Sequence, residues 1–268
     1  MLLIKKRIFE RGYTSITTEE ETIDETLMNF GILRLEKQEE FTLSPGKERA
    51  ILLMSGKVLF IIDENEKREG ERASLFDEGP VCLHVPSKTN IKLLALDSCE
   101  CAVISTENEA DFPVEYYTNK DVENEYRGKG TMGETSTRIV RTIFDKSSSP
   151  TANLVLGEVV NYPGKWSSYP PHHHPQPEIY HYRFLPKNGF GMALLGEEAF
   201  KIENGDTLKI LNDKVHPQVS APGYAMYYIW VIRHLEGNPY ITPVFVPEHE
   251  WVMNPNASIW PEKRSELR

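Results

Sequence analysis

Apolar residues in this chain come in short bursts rather than at helical spacing. AILLMSGKVLFII, VCLHVP, IKLLALD, CECAVIS, LVLGEVV, EIYHYRF, FGMALLG, DTLKIL, AMYYIWVI and TPVFVP are rich in Val, Ile, Leu, Tyr and Phe, and clusters of Gly, Pro, Asn and Asp separate them. Runs of this length with β-branched and aromatic content predict strands. Many short strands between turn signals predict an all-β fold, a sandwich or barrel or two of them. Few segments carry a helical period, and TTEEETIDETLMNF near the start is charged enough for a surface turn or loop.

The pattern repeats faintly. A strand pair around Ser55-Gly56 precedes Asp77-Glu78-Gly79 and VCLHVP, and a strand pair around Gly196 precedes Glu203-Asn204-Gly205-Asp206 and TLKIL. Gly79 and Gly205 stand 126 residues apart, close to half of the 268-residue chain, which predicts two copies of one β-barrel. The joint falls in VENEYRGKGTMGETSTRIV, residues 122–140, where charge and three glycines have the composition of a surface linker. Residues 1–121 and 122–268 are therefore the expected domains. IFDKSSSPTAN should follow as a loop with an exposed Ser-rich tip.

Composition narrows the class. Hydrophobic residues make up 40% and charged residues 26%, as in an ordinary globular protein able to bury a sizeable core. Thirty Lys and Arg against 40 Asp and Glu give a net charge of −10, which repels phosphate backbones and argues against nucleic-acid partners. MLLIKKRIFE is neither a signal peptide nor a spanning helix, and no membrane-length apolar stretch occurs, so a soluble cytoplasmic protein is expected. Cys82, Cys99 and Cys101 are expected to be reduced, buried thiols.

Chemistry concentrates in GKWSSYPPHHHPQPEIYHYRF, residues 164–184. On an extended chain His172 and His174 project from one face, as two ligands of one ion must, and His173 from the other. Pro175 and Pro177 force a turn that brings Glu178 back as the first residue of the next strand. His216 in NDKVHPQVSAPGY is the candidate fourth ligand. Three imidazoles and a carboxylate suit a divalent ion, zinc first and then Mn, Fe, Co or Ni, with coordination positions left open for substrate.

This arrangement resembles the cupin metal motif, Gly-x5-His-x-His-x3–4-Glu-x6-Gly followed by a second motif with the last His. Here Gly164 lies eight residues before His172, and the residues around His216 replace the usual Pro-x-Gly. WSSYPPHHHP, EIYHYRF, HPQVSAPGYAMYY and HEWVMNPNASIW together resemble the 5-deoxy-glucuronate isomerases of myo-inositol catabolism and, more distantly, the 4-deoxy-uronate ketol-isomerases of pectin breakdown. The resemblance implies a bicupin fold and conversion of 5-deoxy-D-glucuronate to 5-dehydro-2-deoxy-D-gluconate, an aldose–ketose isomerisation of a small sugar acid. One departure is the loop between His174 and Glu178, only Pro175-Gln176-Pro177, where those enzymes have a longer acidic one. Placing Gly79 on Gly205 puts Asn90 at the place of His216 and His84 opposite Ile210, so the first barrel should hold no metal and His84 should be structural.

Isomerisation needs proton abstraction beside a carbonyl, an enediolate, and return of the proton to the neighbouring carbon, with a divalent ion stabilising the charge. Alternation from Glu178 turns Tyr180, Tyr182 and Phe184 inward and Ile179, His181 and Arg183 outward. Tyr180, Tyr182 and Glu178 are thus the candidate catalytic groups, and only one of Tyr227 and Tyr228 can face the pocket. His181 and His234 are expected to support the structure. A substrate carboxylate needs a cation; Arg138 is the first candidate, with Lys165 and Arg141 as rivals. Two other readings remain open: a deoxy-uronate isomerase of other specificity or a metal-dependent dioxygenase, and a non-catalytic sugar-acid sensor, the last weakened because no DNA-reading element accompanies the barrels. Exposed edge strands and the resemblance favour a homo-oligomer.

Overall fold

Strands dominate the computed structural model, which describes residues 1–5 and 8–260, and among these residues there is no α-helix. The helical turns are two 3-10 segments, Met132–Glu134 and Pro247–Met253. The charged segment 18–28 is irregular, as its composition predicts.

A nine-stranded sheet is built from the first part of the chain, with Glu48–Ile62 flanked by Cys82–Val85 and Cys99–Thr106 and with Asn29–Leu35 beyond. A seven-stranded sheet serves the second part, in the order Leu3–Ile4, Thr207–Ile210, Glu178–Leu185, Ala225–Arg233, Leu154–Asn161, Arg138–Phe144, Glu125–Arg127. The chain passes from one sheet to the other between Tyr117 and Glu125. Leu3–Ile4 is the exception, pairing with Leu208 and Thr207 on the far side of that passage. The segment 122–140 is no free linker. Glu125–Arg127 hydrogen-bonds to Arg138–Phe144, and the glycines lie in the tight turn between them.

Three apolar clusters explain why several strands read as unbroken hydrophobic runs. Ile51, Leu53, Leu83 and Val103 fill the interior of the first half, and Tyr180, Tyr182, Phe184 and Tyr228 that of the second. A third cluster joins Ala50, Leu52, Ile104, Leu156, Ile179 and Val231 between the halves. A sheet covered on both faces loses the polar side of its alternation. Ile179, His181 and Arg183 do point away from the second half's interior, but they are buried against the first half rather than exposed.

Two carboxylates cross this seam. Glu158 accepts hydrogen bonds from Arg72 (2.7 and 3.0 Å), Arg141 (2.8 Å) and the Tyr227 hydroxyl (2.8 Å), all buried. Glu48 contacts His84 at 2.8 Å and accepts from Asn108 (2.6 Å) and the Asn153 backbone N–H (2.7 Å). His84 lies flat on Phe144, 4.0 Å between ring centroids, so it is structural as expected. The pairing places it at the level of Lys209 rather than Ile210, because His84 opposes Ala50 as Lys209 opposes Ile179.

Ser55-Gly56 is not a hairpin turn. Both residues belong to the single strand Glu48–Ile62, whose register against Cys99–Thr106 shifts between Leu53 and Ser55, and the reversal comes later, at Asp63 and Glu64. Gly56 has φ +89°, and a Cβ there would stand 2.0 Å from the Ser98 carbonyl oxygen. Left-handed strain and backbone overlap add, so Gly56→Ala should lose roughly 2–4 kcal/mol in urea unfolding at neutral pH. A loss below about 0.5 kcal/mol would mean that this bend relaxes freely.

Candidate metal centre

Short-range geometry assembles the second half's polar pocket as the spacing predicts. His172–His173 is extended because it pairs with Val244–Phe245, so His172 and His174 share one side and His173 turns away to Asp213 at 2.7 Å. The turn through Pro175 and Pro177 returns the chain to Glu178, the first residue of Glu178–Leu185. Beyond Thr207–Ile210, Asn212 and Asp213 adopt left-handed conformations that reverse the backbone and carry His216 inward, where it is 1% exposed.

Ligand atoms of His174, Glu178 and His216 all lie within 4.8 Å of one another. Their Nδ1 atoms are tied to backbone carbonyls, His174 to Gln176 (2.9 Å), His216 to Lys214 (2.9 Å) and likewise His172 to Pro170 (3.0 Å). A carbonyl only accepts, so each Nδ1 carries a proton and each Nε2 is turned toward the pocket, the arrangement of a metal-ligating histidine. His216 Nε2 is buried without a hydrogen-bond partner and stands 3.3 Å from Glu178 Oε2; His174 Nε2 stands 3.2 Å from the same oxygen. The unpartnered His216 Nε2 faces a carboxylate it cannot bond while neutral, and a cation between the two imidazoles and Glu178 satisfies all three groups, so the donor set fits a divalent ion. His172 lies outside the three-residue set but lines the same pocket, its ring 4.9 Å from that of His216.

Burial pushes the pKa of His172 and of His216 down to about 4, which keeps both imidazoles neutral. Burial acts the same way on His174, but Glu178 beside it outweighs this and raises the value. In the first half the position of Glu178 is taken by Arg49, which opposes Val85 and Ser105 as Glu178 opposes Ile210 and Ile232. Its guanidinium donates to the carbonyls of Ser44, Pro86 and Thr89, binding the loops over that end.

The other expected residues separate. Tyr180 lines the pocket, its hydroxyl 3.1 Å from Ser168 Oγ, whereas the Tyr182 hydroxyl is buried deeper and has no hydrogen-bond partner among the described residues. Tyr228 is the one of its pair that faces the pocket, 2.6 Å from Ser167 Oγ. Burial raises the pKa of both Tyr180 and Tyr228, so both remain protonated at neutral pH. Arg138 lines the pocket but spends its guanidinium on the Ser136 and Tyr169 carbonyls. Arg141 belongs to the Glu158 cluster, and Lys165 lies over the ring of Tyr162 in a separate groove.

Sequence reading missed Arg127, Ser168, Trp230 and Tyr240, which with Val140 and Val159 complete the wall. Tyr240 comes from the segment after the last long strand; its ring is 4.9 Å from that of His174, and nearby Gln176 Nε2 donates to the Asn238 carbonyl (2.9 Å). No periodicity marks that segment. All three cysteines are free and buried, and no helix of the described residues is long and apolar enough to cross a membrane.

A buried His/Glu cluster inside a nearly all-β chain defines a cupin-like protein with the makings of a metal site. A cupin 2 conserved barrel domain protein from Leptotrichia buccalis superposes with a TM-score of 0.53 over 84% of this chain and 92% of that one, at 15% identity, a likeness of fold. The KduI/IolB family model matches residues 2–252, so the chain belongs to the KduI/IolB family. It is 29% identical over 226 residues to a 5-deoxy-glucuronate isomerase of Geobacillus thermodenitrificans strain NG80-2, covering 77% of this chain and 79% of that protein. The crystal structure of an IolB-like protein from Salmonella typhimurium LT2 aligns with a TM-score of 0.84 and 25% identity, over 94% of this chain and 99% of that one.

Proposed function

We propose that this protein is a metal-dependent aldose–ketose isomerase acting on 5-deoxy-D-glucuronate to give 5-dehydro-2-deoxy-D-gluconate. The observation that carries the metal-dependent part is the convergence of His174 Nε2 and the buried, unpartnered His216 Nε2 on the Glu178 carboxylate. The substrate follows from family membership and from relatives named for that reaction. His174, Glu178 and His216 would hold the ion, with His172 as the fourth ligand and zinc as the first choice among Zn, Mn, Fe, Co and Ni. When bound, the ion polarises the carbonyl and stabilises negative charge as the proton leaves the adjacent carbon.

The chain's own residues supply the rest. Tyr180 and Tyr228 present hydroxyl groups to the pocket, each steadied by a serine, and are placed to hold or return a proton beside the reacting carbons. Tyr182 packs behind them. The segment around Tyr240 covers the histidines and keeps bulk water from the site. We further read the two halves as two cupin-like barrels, divided near residue 122 except for the exchanged strand Leu3–Ile4, with the ion in the second alone.

The test is an NMR assay of metal-quantified protein with 5-deoxy-D-glucuronate. The 2-deoxy-5-keto acid should form, and EDTA treatment should abolish the reaction. In deuterated water the product should carry label at the carbon that receives the proton. A product wholly free of deuterium would replace proton transfer through solvent-exchanging hydroxyls with a hydride shift or a shielded transfer. A metal-loaded protein that leaves this substrate untouched would refute the assigned reaction.

A further inference from the structure

Among the described residues, two cations line the metal pocket, Arg127 and Arg138, and they sit directly opposite each other across neighbouring strands. Like charges at facing positions destabilise a strand pair, so this pairing calls for an anion. Glu125 meets part of that need, holding Arg127 Nε at 3.0 Å. The two guanidiniums differ in what they have left to give. Arg138 is buried, and its Nη1 and Nη2 donate to the Ser136 carbonyl and hydroxyl and to the Tyr169 carbonyl. Arg127 is exposed at the pocket mouth, and its Nη1 and Nη2 make no hydrogen bond to any described residue.

Pocket size sets where a ligand's ends must lie. The pocket offers about 70 Å³, too little for a whole six-carbon sugar acid, so one with its reacting carbons at the ion extends outward past the mouth. In a chain of net charge −10, a free guanidinium fork at that point is matched to a carboxylate, which it can bind through two parallel N–H···O bonds. We propose that Arg127 receives the substrate's carboxylate and thereby sets the preference for acidic over neutral sugars, while Arg138 fixes the loop before His172. This rests on the isomerase reading for the identity of the sugar, but not for the chemistry of recognition.

Arg127→Gln and Arg127→Lys in the metal-loaded protein test it by steady-state kinetics, with D-glucuronate and D-glucuronamide binding measured by calorimetry. For Arg127→Gln the expected result is a KM raised about ten- to hundredfold with kcat changed less than about threefold and metal content unchanged. Arg127→Lys, which keeps the charge and loses the fork, should fall between. The wild type should bind glucuronate more tightly than glucuronamide, and Arg127→Gln should erase the difference. Wild-type KM in Arg127→Gln, a fall confined to kcat, loss of the metal, or an unchanged acid-over-amide preference would each overturn the proposal. If the wild type turns over no 5-deoxy-glucuronate, the proposed reaction fails, while the calorimetric comparison still decides the role of Arg127.

Discussion

His216→Ala should bind less than a tenth of the wild-type divalent metal and lose about a thousandfold or more in kcat/KM. An ion that stabilises developing charge by several kcal/mol takes that stabilisation with it, and each 1.36 kcal/mol is a factor of ten. The fold should survive, because the ring's Nδ1 bonds only the neighbouring Lys214 carbonyl, among the described residues, and His216 lies outside the apolar cluster that joins the halves. Plasma emission spectrometry gives the metal content and circular dichroism the fold. Full metal content in His216→Ala would remove the residue from the ligand set. His172→Ala provides a graded comparison. Because His172 lies outside the three-residue cluster, its loss should lower affinity while leaving metal detectable at saturating concentrations.

Glu158→Ala should cost about 3–5 kcal/mol of unfolding free energy, since Arg72 and Arg141 would be left buried without their counter-charge. Acid provides an independent reading of the same group. Burial alone would raise the Glu158 pKa, but Arg72 and Arg141 more than reverse this and hold it below the ordinary carboxylate value. A carboxyl whose folded pKa is depressed stabilises fully above the unfolded value, near 4.3, and the stabilisation fades as pH falls below it. Between about pH 5 and pH 3 the wild-type unfolding free energy should therefore decline. Glu158→Gln should decline less steeply, Glu48 being a second carboxylate lowered in the same way after His84 outweighs its burial. Equal slopes in urea titrations across that range would assign the acid sensitivity elsewhere.

The candidate ligand residues were legible because their geometry is local. An i, i+2 pair on extended chain, a proline turn and the head of a strand determine where His172, His174 and Glu178 point whatever the rest of the molecule does. His216 required a topology in which Thr207–Ile210 lies beside Glu178–Leu185, and the barrel resemblance carried that expectation. Arg127 had no such local mark. It sits in a glycine-rich, charged stretch with the composition of a linker, and only its pairing with Arg138–Phe144 brings it to the pocket. Tyr240 likewise reaches the pocket only because the tail pairs through Val244–Phe245 with His172–His173. Alternation correctly oriented Ile179, His181 and Arg183, but a period of two tells which side a residue takes and not what covers that side. The Gly56 bend was misread as a turn because a kinked strand and a hairpin share the same glycine, and only the partner's register separates them.

The exchanged strand has a consequence for synthesis on the ribosome. Leu3 and Ile4 are made about two hundred residues before the edge they complete, Thr207–Ile210. The roof over the histidines, from Tyr240 to Phe245, follows later still. Vectorial folding can finish the first half early, but Leu3–Ile4 must stay uncommitted until Thr207–Ile210 has been made. A ribosome stalled before residue 240 would therefore carry a folded first half and a second half whose His172, His174, Glu178 and His216 have no roof.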